Sequence, residues 1–325
     1  MSEHSLDEQL NKYLADAHSI EEQALQQLRK APDIAGDPEL EAAFRTHLSE
    51  TEEQERLIAE RLEARGGSPS KVKDLVMRAG GEAFVLFARS QPDTPGKLTA
   101  HAFSYEHLEL GAYELLLRVA QRAGDEETVE VARRIRDEER AMAQRLEGLF
   151  DRAVDASLRA KGAEDLQEQV VKYLADAHAI EAQAIQLLEK GPSIAGDPEL
   201  ERIYSEHLEE TREQQRLVRE RLEAHGAAPN KLQDAAMRLG ALNWGTFFAA
   251  QPDTPGKLAC FAFAFEHLEI GGYEQLKRVA ERAGDHETVR VAERILAEER
   301  AAAGKISGAF DRAAEASLEA VGVAG

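Results

Sequence analysis

The stretch LTAHAFSYEHLELGAYELLL, Leu98 to Leu117, decides the fold of this chain. Read at spacings of three and four, it collects Leu98, Ala102, Glu106, Glu109 with Leu110, Tyr113, and Leu116 with Leu117 on one face. That periodicity predicts an amphipathic helix. Thr94-Pro95 opens it with a cap and a proline in the first turn, and Ala123-Gly124 closes it. The face is apolar at its ends and acidic in its middle. A carboxylate buried without a partner is strongly unfavourable, so such glutamates pair, take up a proton or bind a cation.

The stretch is written twice. It returns as LACFAFAFEHLEIGGYEQLK, Leu258 to Lys277, and other landmarks keep the same offset: Glu21 and Glu181, His47 and His207, Glu139 and Glu299. Each repeat is too long for a solenoid unit and has the length of a globular domain. The chain is therefore expected to form two domains of one fold, 1–160 and 161–325, joined near Arg159 to Glu164 and packed as an internal pseudo-dimer.

Three further helices are expected in each copy. The first runs from about Leu6 to Lys30 with Leu10, Leu14, Ala17, Glu21, Ala24, Leu25 and Leu28 on one face, and a loop from Ala31-Pro32 through Gly36 follows it. Asp37-Pro38 opens the second, which reaches about Arg65 and carries Leu40, Phe44, His47, Glu50 with Thr51, Gln54, and Leu57 with Ile58. Asp125 opens the fourth, whose stripe is Val131, Ile135, Glu138 or Glu139, Met142, Leu146 and Phe150. Helices one and two are joined tightly, as are three and four. The connection between the pairs, Ser68 to Asp93, is long, with short helices expected around Ala83 to Ala88. Its counterpart holds Trp244, Phe247 and Phe248. No run alternates as a strand does. Hairpin, crossover, hairpin is the ferritin-like arrangement, so the expected class is all-α: two tandem ferritin-like four-helix bundles.

Every stripe has acid at its middle: Glu21, Glu50, Glu106 with Glu109, and Glu138 or Glu139, returning as Glu181, Glu210, Glu266, Glu269, Glu298 and Glu299. Folding the first hairpin about Ala35-Gly36 sets Glu21 level with Glu50. Folding the second about Gly124 sets Glu109 level with Glu139, with Glu106 about one turn away at ~1.5 Å rise per residue. Glu138 and Glu139 cannot both point inward, and Glu139 fits the stripe better. A pair of divalent metals is the known way to hold carboxylates inside such a bundle, and carboxylate with imidazole suits iron or manganese.

Composition narrows the alternatives. The net charge is -21 and no basic stripe is visible, which argues against nucleic acid as a partner. The single Cys260 has Ala100 as its counterpart, so no intrachain disulfide is expected and a reducing compartment fits. The start, MSEHSLDEQL, lacks the features of a signal peptide, and no apolar run is long enough to cross a bilayer. A soluble cytoplasmic protein, away from membranes, is expected. No phosphate loop, zinc-spaced cysteine set or nucleophile elbow is present.

The segments DAHSIEEQAL (Asp16 to Leu25), HLSETEEQ (His47 to Gln54), YEHLELGAY (Tyr105 to Tyr113) and EER (Glu138 to Arg140) resemble the YciE/YciF family of ferritin-like proteins, a branch often described as ferroxidases. The resemblance spans nearly the whole of each repeat, as for a tandem duplication. It implies a di-iron centre, with manganese as the alternative metal, oxygen or peroxide as the oxidant, and a stress-related role. Carried over by position, Glu21, Glu50, Glu106 and Glu138 or Glu139 would supply ligands. Two departures stand out. Ferritin-like sites commonly offer Glu-x-x-His on helix two, whereas Glu50 is followed by Glu53 and then Gln54; helix four also lacks a histidine. Gln214 repeats the first departure, so a carboxylate-rich or weakened site is implied.

His18 and His47, with His178 and His207, sit three residues before the glutamates. They are either ligands, donors that orient ligands from behind, or partners of the glutamates in a bundle without metal. Tyr113 and Tyr273 lie seven residues beyond Glu106 and Glu266 on the same face, as core tyrosines or groups next to the metal. His107 is expected off the core stripe; His4, His101, His225 and His286 are expected in solvent. The rival to a ferroxidase is a helical stress or scaffold protein that has lost metal binding. A partner-binding module built on the aromatic connections is a third reading. Self-association into a homo-oligomer is compatible with all three.

Overall fold

The computed structural model describes residues 5–68, 94–161, 165–229 and 253–323; the helices expected around Ala83–Ala88 and the aromatics Trp244, Phe247 and Phe248 lie outside the described residues. The chain divides into two compact units whose main spans are Met1–Gly162 and Ala163–Val321. The first holds α1 (Leu6–Leu28), α2 (Ala31–Ile34), α3 (Pro38–Ala64), α4 (Thr94–Ala123), α5 (Glu126–Glu147) and α6 (Phe150–Lys161). The second repeats them as α7 (Leu166–Leu188), α8 (Gly191–Ile194), α9 (Pro198–Ala224), α10 (Thr254–Ala283), α11 (His286–Gly308) and α12 (Phe310–Ala320). No strand occurs among the described residues.

Side-chain caps set the helix starts. Ser5 and Glu8 form a reciprocal capping box on α1, the Asp37 carboxylate accepts from the Glu39 and Leu40 amides, and Asp125 accepts from the Thr128 amide. Gly36, at φ 67, makes the turn into α3. An added Cβ there would also meet Pro95 Cγ at 3.0 Å, so backbone angle and space both call for glycine.

The four long helices close a ring: α1 packs on α3 and α4, and α5 packs on α4 and α3. Its topology can be read from the ends. Near the C-terminus of α3, Arg61 and Arg65 both reach Asp125, and Arg65 also reaches Asp7 at the start of α1. The end of α4 lies beside Asp125 too, so α3 and α4 finish at the same end. Pro95, at the start of α4, lies against Gly36 at the other end. The connection over 65–93 therefore joins opposite ends of a bundle ~40 Å long, at ~1.5 Å per helical residue. Each unit is a ferritin-like four-helix bundle with one long crossover.

Two details differ from the sequence reading. The expected loop at Ala31 contains the short helix α2, and the fourth helix ends at Glu147 before a separate α6. The apolar spacing continues past Gly148 through Phe150, Ala153 and Val154, all buried, so α6 is stabilised by its own buried stripe. It packs on α4, where Ser157 Oγ accepts the Gly96 amide at 2.7 Å; Ser317 and Gly256 repeat the bond at 2.6 Å. This hydroxyl satisfies an N–H that the first turn of α4 leaves without a helical partner.

Candidate metal centre

Apolar layers flank one acidic level in each bundle. In the first unit Leu14 and Ala17 on α1, Ile58 on α3, Leu110 on α4 and Ile135 and Met142 on α5 are buried around it. At that level Glu21, His47, Glu106, Glu109 and Glu139 are themselves buried. Ligand atoms of His47, Glu106, Glu109 and Glu139 all lie within 4.8 Å of one another, and those of His207, Glu266, Glu269 and Glu299 do the same in the second unit.

The imidazole is at the middle of the set. His47 Nε2 is 3.1 Å from Glu106 Oε2 and 3.4 Å from Glu139 Oε2, and its Nδ1 is 3.2 Å from Glu50 Oε2. His207 Nε2 is 2.8 Å from Glu266 Oε2 and 3.5 Å from Glu299 Oε2, with Nδ1 3.2 Å from Glu210 Oε2. Glu21 stands beside this group, where the Tyr113 hydroxyl donates to its Oε1; Tyr273 donates to Glu181 in the same way.

Glu50 and Glu138 are set apart from the buried group. At 100° per residue, Glu50 lies roughly 80° from the centre of the α3 stripe, and that stripe is continued by Thr51 and Gln54. Its carboxylate is half-buried and meets the outer nitrogen of His47. Glu138 lies roughly 90° off the α5 stripe by the same measure. It pairs with Arg134 and accepts from Gln54 Nε2 at 3.1 Å. Glu210 and Glu298 repeat these positions, with Gln214 donating to Glu298 at 3.1 Å.

Several histidines differ from expectation. His107 is buried, with Nδ1 donating to the Phe103 carbonyl at 2.7 Å, because α4 is buried over most of its circumference between α1, α5 and α6. His101 stacks with Tyr105 rather than facing solvent, and burial pushes its pKa down to about 4. His225 Nε2 lies 2.8 Å from Asp285 Oδ2, where Arg65 holds Asp125 in the first unit. His286 is exposed as expected, and His4 lies outside the described residues. His18 is buried with Nε2 2.9 Å from Glu55 Oε1, and its counterpart His178 is also buried.

Burial dominates the electrostatics. Loss of water raises Glu21 and Glu181 to about 8, against the lowering effect of the tyrosine hydrogen bonds and the nearby imidazoles. Glu109 and Glu139 are held well above the usual carboxylate range, first by burial, with neighbouring carboxylates adding to the shift. Burial alone would lower His47, but the charges of Glu106 and Glu139 outweigh it and hold its pKa well above 6.5. Without a cation, Glu21, Glu109 and Glu139 are biased towards keeping protons beside a protonated imidazole.

Several atoms remain without hydrogen-bond partners in that arrangement. Among the described residues these include both oxygens of Glu109 and Glu139, Glu21 Oε2 and Glu106 Oε2, and their counterparts on Glu269, Glu299, Glu181 and Glu266. Leaving buried oxygens unpaired is costly, and a cation satisfies several at once. An ion with donors ~2.1 Å away separates neighbouring donors by about 3.0 to 3.4 Å, octahedral to tetrahedral. The His47 distances of 3.1 and 3.4 Å match that spacing. The donor set fits a hard or borderline divalent metal.

Fold and site together define a ferritin-like helical bundle, doubled in one chain, with a buried imidazole–carboxylate group in each half able to hold a metal ion. The chain belongs to the family described as "Domain of unknown function (DUF892)", whose model matches residues 5–159 and again 165–319. No solved structure matches the chain.

Proposed function

We propose that each unit is a carboxylate-rich dimetal centre for iron, with manganese as the alternative, and that the protein oxidises ferrous iron using oxygen or peroxide. The observation that carries this reading is the set of buried carboxylate oxygens without partners on Glu21, Glu109 and Glu139, gathered around His47. The resemblance to the YciE/YciF proteins points the same way. His47, Glu106, Glu109 and Glu139 would hold metal, with Glu21 from the adjacent side; His207, Glu266, Glu269, Glu299 and Glu181 would do so in the second unit. Bound iron supplies the one-electron chemistry that no side chain here provides.

The chain's own groups prepare the site. Glu50 engages Nδ1 of His47 and so directs Nε2 at the carboxylates. Tyr113 fixes Oε1 of Glu21, leaving Oε2 for a ligand. The apolar layers exclude bulk water. The carboxyls that hold protons in the metal-free protein release them when a cation takes their place.

The test is direct. Ferrous iron is added to the full chain without oxygen, excess is removed, bound iron is counted, and oxidation is followed after air is admitted. Retained iron that oxidises, and is lost in Glu109→Gln/Glu139→Gln/Glu269→Gln/Glu299→Gln, supports the proposal. No retained iron in the parent protein favours the scaffold reading.

A further inference from the structure

Beside the central level the first unit carries another mixed donor set. His18 and Glu22 on α1 and Glu55 on α3 bring an imidazole nitrogen and two carboxylate oxygens within 4.8 Å of one another. His18 is buried, while Glu22 and Glu55 are half-buried on the flank of the α1–α3 seam. His18 Nε2 lies 2.9 Å from Glu55 Oε1, close to the ~3.0 Å between neighbouring ligands of an octahedral ion. Glu21, next to Glu22 on α1, is wholly buried, with Oε2 unpartnered among the described residues.

The second unit gives a natural comparison. His178 remains, but Ala182 and Gln215 stand where the first unit has Glu22 and Glu55. Its helices and central group are otherwise the same, so the missing carboxylates are tolerated by the fold.

We propose that the first unit has an additional divalent-cation site formed by His18, Glu22 and Glu55, which the second unit lacks. Two carboxylates and one imidazole suit a borderline divalent transition metal. The proposal does not depend on the chemistry of the central groups.

The experiment is equilibrium dialysis of the full chain against Co2+, with bound cobalt counted per chain. Glu22→Ala/Glu55→Gln copies the residues of the second unit and should bind one ion fewer than the parent. Ala182→Glu/Gln215→Glu should bind one more. An unchanged count in both variants overturns the proposal. If the central groups hold no cobalt, the parent binds one ion and Glu22→Ala/Glu55→Gln binds none, which sinks the dimetal reading while leaving this site standing. Should the first variant fail to fold, a full-length gain-of-site variant with no extra ion rejects the proposal by itself.

Discussion

In the metal-free protein, Glu21 and Glu181 should set a steep fall of stability with rising pH. Burial raises each from an ordinary value of 4.5 to about 8. The native state therefore keeps a proton that the unfolded chain releases. Below about 4.5 both states hold the proton and there is no penalty; as pH climbs towards 8, unfolding is increasingly favoured. At pH 7 the penalty covers roughly 2.5 pH units, or about 3 kcal/mol for each glutamate at ~1.4 kcal/mol per unit. Glu21→Gln/Glu181→Gln removes the titration while its amide oxygen still accepts from Tyr113 or Tyr273. The new amide N–H groups can each cost about 1–3 kcal/mol if unsatisfied, so absolute stability is a poor readout. The slope is the readout. Urea unfolding in the presence of a chelator, followed by circular dichroism between pH 5 and 8, should show a much shallower loss of stability for the variant. Some slope should remain, because Glu109 and Glu139 are raised in the same direction. A variant that loses stability with pH as steeply as the parent would refute the claim that these carboxyls carry protons in the apolar core.

Metal and protons should compete for the same oxygens. Adding Mn2+ to weakly buffered metal-free protein at pH 7 should acidify the solution, and affinity should rise from pH 6 to 8; binding without proton release contradicts the protonated resting state. Gly36→Ala should destabilise the first unit by about 1–3 kcal/mol through its left-handed turn, and more than Gly66→Ala. The difference arises because a Cβ at Gly36 meets Pro95 at 3.0 Å, whereas one at Gly66 meets nothing within 4 Å; thermal unfolding compares them. Ser157→Ala removes the acceptor of the buried Gly96 amide and should cost about 1–3 kcal/mol in urea unfolding.

Much of this fold was legible because periodicity and capping agree. Thr94-Pro95, Asp37-Pro38 and Asp125 mark helix starts, and the three connections have unequal lengths that select the crossover arrangement. The side chains of the centre were less uniformly legible. Glu21, Glu106, Glu109 and Glu139 lie near the middle of wide stripes, where a one-position error in helix phase leaves them inward. Glu50 lies at the margin of the α3 stripe, where the same error changes burial to half-exposure. His47 was visible as a neighbour of Glu50, but its place among Glu106, Glu109 and Glu139 depends on the relative rotation of three helices. The α6 helix is hard to separate in the sequence because its apolar spacing runs on from the fourth stripe across Gly148. The Glu55–His18 pair depends on which edges of α1 and α3 meet, a tertiary fact that neither helix contains alone.

The two units act as a substitution experiment in one molecule. Around the centre their side chains have diverged: His101 corresponds to Phe261, Glu22 to Ala182, Glu55 to Gln215 and Arg65 to His225. Some changes preserve a physical role, as Arg65 and His225 hold the aspartates that cap α5 and α11. Others remove a charge from the flank. At the central level nothing has changed: Glu21, His47, Glu106, Glu109, Tyr113 and Glu139 return as the same residue types with similar contacts. An apolar substitution there would relieve carboxylate desolvation, so selection for stability alone would favour replacing these acids. Their persistence amid divergence therefore argues that the acidic level is kept for a ligand, and that its cost to the metal-free fold is offset when a cation is bound.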